Sequence, residues 1–564
     1  MELHGQLAEV APDRPSAVRD GSPTTGIGTS LRQARPVLFW GAIGLVFVVA
    51  GWWRLRVAGD DLFGDELATY WDVTTPSSVL DVVRLVKTDA EITPPLFFVL
   101  ARVSTWLGKE PLFFRLPSLV AGMLLLPLVV WWARLLAGRG AAFATGVLAA
   151  ASPFLIYYSA EARAYALMML CVTASTVCLV QAVRRRRRVY WAGYALASAA
   201  AMYSHYTAAF ALFAQLVWLA AFQRSQLRTA LIANFGAAVL FAPWIPGVIA
   251  DQNSWTTPLL NALTPLDLEN LTRYWLHWSF AYPYAVVPVS AIPGAVGVAL
   301  LVVGVAVALF GLVVRRHLLS LSRERQRLVA LTVMLALANP VLALAVSLVG
   351  THVYGPRNLA ASYPALVVLL GSVPFLLRGF TRAIGAAGIC GCFVLSGALT
   401  ALGEQGRPEV RPLAEHLRRE ARVGDAIVDG TAILSPGPPS VLDTLPHPSL
   451  PTFRAGAPEV RDRPFGLFDH RPSLRDALAR ALIHTSRRGR VFLFMQSLPK
   501  SASGPFRARV RRVADPSRQW RSLGLRAVFV DRAERGFARP VLVVLRRTNA
   551  KAGHTLAGGR KAGS

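Results

Sequence analysis

Residues 37–67 read VLFWGAIGLVFVVAGWWRLRVAGDDLFGDEL. The stretch from Val37 to Ala58 is mostly apolar and long enough to cross a bilayer, which takes about 20 residues. It is followed at once by Phe63-Gly64-Asp65-Glu66-Leu67. Carboxylates beside a bilayer are costly to keep, so an acidic pair at that depth marks a candidate functional site, with Asp65 as the residue to carry the chemistry. Taken alone, the pair is equally well explained as a solvated loop start.

The chain has 564 residues, of which 54% are hydrophobic and only 16% charged, with a mean hydropathy of +0.43. Soluble domains carry about 25% charged residues, so this composition specifies an integral membrane protein. The net charge of +28 could suit a nucleic-acid binder. Its arginines, however, fall between apolar segments, the pattern that anchors loops against anionic lipid headgroups, and nucleic acid is not an expected partner. Cys171, Cys178, Cys390 and Cys392 lie in apolar runs without acids or histidines at ligand spacing and read as small core hydrophobes. Residues 1–35 lack the apolar core of a cleavable signal and read as a disordered, basic, cytoplasmic N-terminus; residues 548–564 read as a disordered tail.

Spanning stretches lie near 37–58, 116–137, 141–159, 164–183, 189–206, 207–223, 229–249, 286–314, 328–349, 359–377 and 381–402. The excess of Lys and Arg in cytoplasmic loops sets sidedness. Arg14, Arg19, Arg32 and Arg35 precede the first span; Arg134, Arg139, Arg184 to Arg188, Arg224, Arg228, Arg315 to Arg327, Arg378 and Arg382 then fall in cytoplasmic loops, provided Pro94 to Leu107 does not cross. That segment has about 14 residues and fits a helix lying at the interface. The result is about eleven transmembrane helices, a cytoplasmic N-terminus and an external C-terminus.

This sidedness gathers Asp65, Glu66, Asp89, Glu91, Arg115, Glu161, Arg163, His205, His352 and Arg357 on the outer face. The first outer loop, about Gly59 to Phe114, is too long for a simple connection. Ser77 to Lys87 is patterned as an amphipathic interfacial helix, and the Pro94-Pro95 segment starts a second. Glu161 and Arg163 sit at a tight turn, where a local ion pair is the plain alternative to a shared site. His205, between Tyr203-Ser204 and Tyr206, suits either interfacial packing or a ligand role. Trp255, Tyr274, Trp275, Trp278, Tyr282 and Tyr284 read as an aromatic interface belt that could also cover a lipid or sugar. Arg357, on a Gly355-Pro356 turn, offers a donor fork that matches phosphate oxygens, or anchors to headgroups.

After Leu402 the composition changes. Helical patterns at Pro412 to Ala421, Ser473 to Leu482 and Phe506 to Val513 alternate with strand-like runs at Ala426 to Asp429, Val491 to Met495, Ala527 to Val530 and Val541 to Leu545. They predict a small α/β domain outside the membrane, without a glycine-rich phosphate loop or a nucleophile elbow. The domain plan is therefore 1–35, 36–402 in the membrane, 403–547 extracytoplasmic, and 548–564.

Six motifs now stand in order: Asp65-Glu66 after the first span; Thr93-Pro94-Pro95-Leu96; Phe114-Arg115-Leu116-Pro117-Ser118; Ser159-Ala160-Glu161-Ala162-Arg163-Ala164-Tyr165-Ala166; Tyr203-Ser204-His205-Tyr206; and Pro356-Arg357-Asn358 with Pro364. Together, over roughly residues 37–400, they resemble the bacterial relatives of the dolichyl-phosphate-mannose protein mannosyltransferases, which are GT-C glycosyltransferases. The Arg411-Pro412-Leu413 helix leading to Gly424-Asp425-Ala426-Ile427-Val428 resembles the start of the extracytoplasmic domain of some members.

The resemblance implies inverting transfer of a sugar from a polyprenyl-monophosphate donor to an acceptor on the outer face of the plasma membrane. It implies Asp65 as the base, with Glu66 orienting the acceptor or tuning Asp65. Arg115, Arg163 and Arg357 match basic positions that could bind the donor phosphate. Glu161 and His205 match polar positions that in some relatives lie near a divalent metal, with Glu91 and Asp89 in the same acceptor or metal vicinity. The chain departs from the pattern at Thr93, where relatives commonly have His, at Ala160, where Gln is frequent, and at Asn358, where Tyr is frequent. A role for that His has no counterpart here; a divalent metal ion is the one cofactor that the resemblance allows, and no nucleotide site is required.

The chemistry is coherent: a carboxylate takes the proton of an acceptor hydroxyl, and arginines balance the charge that develops on the leaving phosphate. A transporter or flippase of lipid-linked sugars would place ionisable residues mid-span or show internal repeats, and neither is evident. A catalytically degenerate scaffold acting through its C-terminal domain is the other alternative.

Overall fold

The structure is a computed structural model and describes residues 26–88, 91–254, 266–284, 287–314, 321–403, 406–430, 440–455, 473–496, 516–532 and 540–548. Asp89, Trp255 and the expected helix at Phe506 to Val513 lie outside these residues, as do 1–25 and the tail from 549. Met1–Leu45 and Val46–Ser564 form separate compact units, and the candidate site lies wholly in the second.

The first helix, α1, runs from Gly26 to Ala58, so residues 26–35 of the expected disordered N-terminus are helical. Three short helices follow it: α2 (Asp65–Thr74), α3 (Val79–Thr88) and α4 (Leu96–Ser104). The last has nine residues. That is about 14 Å, half of what a crossing of roughly 30 Å requires.

Next come α5 (Pro111–Ala151), α6 (Pro153–Ser159) and α7 (Tyr165–Arg185). A straight helix of 41 residues would separate its ends by about 60 Å. Yet Arg115 near its start and Ala162 beyond its end both bond to Glu66. The chain must therefore reverse within α5, and it does so at Ala137 and Gly138, which leave helical geometry. Gly138 has φ 86°, a conformation only glycine takes without steric cost.

All eleven expected stretches contain helix. Eight of the described helices are long and apolar enough to cross a membrane, counting α5 once, and Arg188–Ser204 and Ala208–Phe222 are shorter. A count of eleven crossings is thus not fixed by length and apolarity. Long apolar helices throughout residues 37–402 do make this a multi-pass membrane protein.

After the helix Gly379–Leu402, the helix Arg411–Glu420 leads into a five-stranded sheet. Its strands are β1 (Ala426–Gly430), β2 (Thr452–Arg454), β3 (Val491–Gln496), β4 (Leu525–Arg532) and β5 (Pro540–Arg547), in the order β2-β1-β3-β5-β4. The first three are parallel, whereas β5 runs antiparallel to β3 and β4. Successive side chains of a strand point to opposite faces. Ala426, Val428, Val491, Leu493, Val543 and Leu545 accordingly share a core with the helix Leu474–His484. Ile427, Phe492, Phe494, Leu542 and Val544 join a second core with Leu62, Leu67, Val82, Phe97 and Phe98 of the first loop. Both faces are covered at β1, β3 and β5, which is why β5 is apolar without alternation, whereas the edge strand β4 is largely exposed. β2 has no counterpart among the expected strands.

Candidate functional site

The site is built on the first turn of α2. Gly64 precedes it with φ 62° and ψ −128°, a backbone conformation that L residues rarely adopt, and this turns the chain so that Asp65 and Glu66 open the helix. Carboxylates are favoured there by the helix dipole. The two neighbours then part company.

Glu66 points into the protein and is 1% exposed. Its Oε1 accepts from Arg115 Nε (2.7 Å) and the Ala162 amide (2.8 Å), and its Oε2 from Arg115 Nη2 (2.7 Å) and the Phe63 amide (3.2 Å). Burial pushes its pKa up, but the charges of Arg115 and Arg407 and these hydrogen bonds outweigh burial and hold it below the usual carboxylate range. It is left no face for an acceptor. Arg115 is equally committed: its other donors go to the carbonyls of Ala58, Asp60 and Asp61, and it is fully buried. The expected phosphate ligand is instead the clamp that holds the first loop around Glu66.

Arg163 makes a second buried pair, with Nη1 at 2.6 Å and Nη2 at 3.0 Å from the two oxygens of Glu91. Burial opposes the charge on Glu91, and the Arg163 guanidinium overcomes it and lowers the carboxyl pKa. Thr93, where relatives commonly have His, lies 3.4 Å from Arg163 Nη2. The 161–163 turn is fixed by Thr69 Oγ1 donating to the Ala162 carbonyl (2.9 Å) and Ser118 Oγ donating to the Arg163 carbonyl (2.9 Å). Glu161 therefore pairs with neither Arg163 nor Arg115.

Glu161 is 8% exposed; its Oε1 accepts from Tyr157 OH at 3.2 Å, and its Oε2 is buried with no partner among the described residues. Burial raises its pKa to about 7, aided by the charges of Glu66 and Asp65 and only partly offset by Arg407. The ring of His205 lies 5.4 Å from that of Tyr165, and Nδ1 accepts the Thr207 amide at 3.3 Å. Among the described residues, no three His, Cys, Asp or Glu side chains gather where they could hold a metal ion. Glu161 and His205 thus have no third such side chain beside them among the described residues.

Asp65 differs from all of these. Its Oδ2 accepts from Arg357 Nη1 at 2.5 Å, while its side chain is 33% exposed and that of Arg357 37%. Oδ1 takes no hydrogen bond from a described residue. Burial works against the Asp65 charge, but Arg357, then Arg163, and the hydrogen bond from Arg357 lower its pKa on balance.

One member was missed from sequence. Arg407, between Gly406 and Pro408, lies beyond the last span, and its Nε is 3.3 Å from Glu66 Oε2, with the guanidinium 4.7 Å from the Tyr157 ring centre. Its signal is weak among so many arginines; only its place on the same side as Asp65 could have pointed to it. The aromatic segment is also corrected: Tyr274, Trp278 and Tyr282 are buried in protein rather than spread along an interface, with Trp278 Nε1 donating to the Leu359 carbonyl at 3.0 Å. Among the described residues of that segment, only Trp275 is exposed.

The crystal structure of ArnT from Cupriavidus metallidurans bound to undecaprenyl phosphate is similar at 14% identity, covering 91% of this chain and 98% of that one with a TM-score of 0.47. The apo form of that protein gives the same identity and coverage at 0.38. The Archaeoglobus fulgidus oligosaccharyltransferase tethered to an acceptor peptide is 12% identical over 70% of this chain and 62% of that one, with a TM-score of 0.41. No curated protein matches the sequence. Residues 93–249 match the family model for dolichyl-phosphate-mannose-protein mannosyltransferase. Over that stretch, which contributes Thr93, Arg115, Glu161, Arg163 and His205 to the site, the chain is similar to the dolichyl-phosphate-mannose-protein mannosyltransferases.

Proposed function

We propose that the protein is a GT-C glycosyltransferase that moves a sugar from a polyprenyl-monophosphate donor to an acceptor on the outer face of the membrane. One observation carries this reading. Of the four carboxylates Asp65, Glu66, Glu91 and Glu161, only Asp65 is open, and of the guanidiniums of Arg115, Arg163, Arg357 and Arg407, only Arg357 is open. The two lie against each other. An ionised base thus stands beside a cation, the pair of groups that this transfer needs.

In the proposed step, Asp65 accepts the proton of the acceptor hydroxyl as its oxygen bonds to the anomeric carbon. The anomeric carbon–phosphate oxygen bond breaks on the opposite face, giving inversion, and the polyprenyl phosphate leaves with its charge balanced by Arg357. Arg115 and Arg163 act one step back, by fixing the loop around Asp65. Residues 36–402 form the catalytic membrane domain and 403–547 the extracytoplasmic domain, with the N-terminus in the cytoplasm.

The test is transfer from a polyprenyl-phosphate sugar by the purified protein in liposomes. Asp65→Asn should abolish it without loss of folding, and undiminished transfer by that variant overturns the assignment. Mass spectrometry of envelope glycans and glycoproteins after gene deletion identifies the sugar and the acceptor.

A further inference from the structure

The segment that leaves the last span for the C-terminal domain does not merely pass the site. Asp61 Oδ2 accepts the amides of Val410 (2.8 Å) and Arg411 (2.7 Å), so an acid of the first loop holds the start of the helix Arg411–Glu420. Four residues earlier, Arg407 reaches Glu66 with its side chain 1% exposed. Glu66 in turn bonds the Phe63 amide, two residues before Asp65, and the Ala162 amide across the site. The chain on either side of Asp65 is therefore pinned by a carboxylate that Arg407 touches.

Neutralising Glu66 does not by itself require an arginine at 407. Glu66 is already neutralised by a bidentate Arg115, and both terminal nitrogens of Arg407 are buried without a hydrogen-bond partner among the described residues. Burying a guanidinium costs free energy that the contact with Glu66 has to offset, and an apolar side chain of similar length would carry neither contribution. Its contact with the Tyr157 ring, whose hydroxyl donates to Glu161, ties it to the other wall of the site.

We propose that Arg407 is a positioning residue for Asp65, acting through Glu66, so that the linker into the C-terminal domain completes the reaction centre. This rests on the transfer reaction proposed above. Arg407 fixes where the Asp65 carboxylate stands and touches no substrate.

The test uses the full chain with Arg407→Met and Arg407→Lys. Arg407→Met should lower kcat about 10- to 100-fold, the scale of a small misplacement of a reacting group, with KM for the polyprenyl-phosphate sugar unchanged and the variant still folded at the assay temperature. Arg407→Lys, which restores a charge beside Glu66, should recover part of kcat. Unchanged kcat, a raised KM at constant kcat, or a Tm that falls in step with activity each overturns the proposal. A readout independent of transfer separates it from the assigned reaction. With Asp65→Cys as background, adding Arg407→Met should change the rate of thiol labelling by an impermeant maleimide severalfold, and an equal rate overturns the positioning role even if no transfer is detected in the wild type.

Discussion

Asp65 and Arg357 are 292 positions apart in the sequence and share an ion pair of 2.5 Å at the opening of an otherwise buried charge cluster. The pair makes the pH dependence of the proposed reaction testable. Burial alone would raise the Asp65 pKa, and the guanidinium of Arg357 is the largest of the influences that reverse it. Because the base acts ionised, the wild-type rate should persist as pH falls through the usual carboxylate range and decline only below it. Arg357→Gln removes the cation, so the acid limb of the kcat profile should move to higher pH, and KM for the donor should rise as well. An acid limb that stays in place would show that Arg357 does not set the charge of Asp65.

Glu66 is expected to serve stability. Its side chain and that of Arg115 are both 0% exposed, and Glu66→Ala would leave Arg115 and Arg407 buried beside an empty space. Removing one partner of a buried pair costs about 3–5 kcal/mol. Thermal unfolding in detergent should show a corresponding drop in Tm for Glu66→Ala, whereas Asp65→Asn should shift it little. Equal effects of the two substitutions would mean that the neighbours share one role.

Much of this arrangement is legible in sequence because it follows from charge and apolarity. Arginines sort the loops to sides, and Pro94 to Leu107 is too short to cross, so the acids of the first loop and Arg357 belong on one side of the helices. Their contacts agree with that common side. The division of labour within Asp65-Glu66 is not legible: two adjacent acids on a helix face different ways, and which one is buried depends on Arg115, 49 residues on. The helix Asp65–Thr74 is hidden for a related reason. It has a weak amphipathic pattern, and its first turn is held by Arg115 and Ala162 rather than by a local cap. Arg407 has no local signature at all, since its burial exists only once the linker has folded back onto Glu66.

Gly64 offers a test of backbone geometry separate from charge. A Cβ at this position would meet nothing within 4 Å, so space is not the constraint. The constraint is φ 62° with ψ −128°, and forcing another residue into such a conformation costs about 1–3 kcal/mol. Gly64→Ala should therefore lower Tm modestly and, by tilting the first turn of α2, depress transfer by more than the stability loss explains. Wild-type stability and transfer in this variant would show that the turn relaxes without moving Asp65.

Glu161 gives a prediction with the opposite sign to the other acids. Its pKa is raised from the ordinary 4.5 to about 7, chiefly by burial. The folded state thus holds this proton more tightly than the unfolded chain does. The resulting stability is fully present below about pH 4.5 and is lost as pH rises through about 7. Over that window the change amounts to about 3 kcal/mol, at 1.36 kcal/mol per pKa unit. Glu161→Gln keeps a neutral side chain of the same shape at every pH. The Tm difference between this variant and the wild type should accordingly be small at pH 5 and grow in the variant's favour by pH 8, when both are measured in the same detergent. A difference that does not change with pH would mean that Glu161 stays ionised when buried, with its Oε2 charge met by a donor that the described residues do not include.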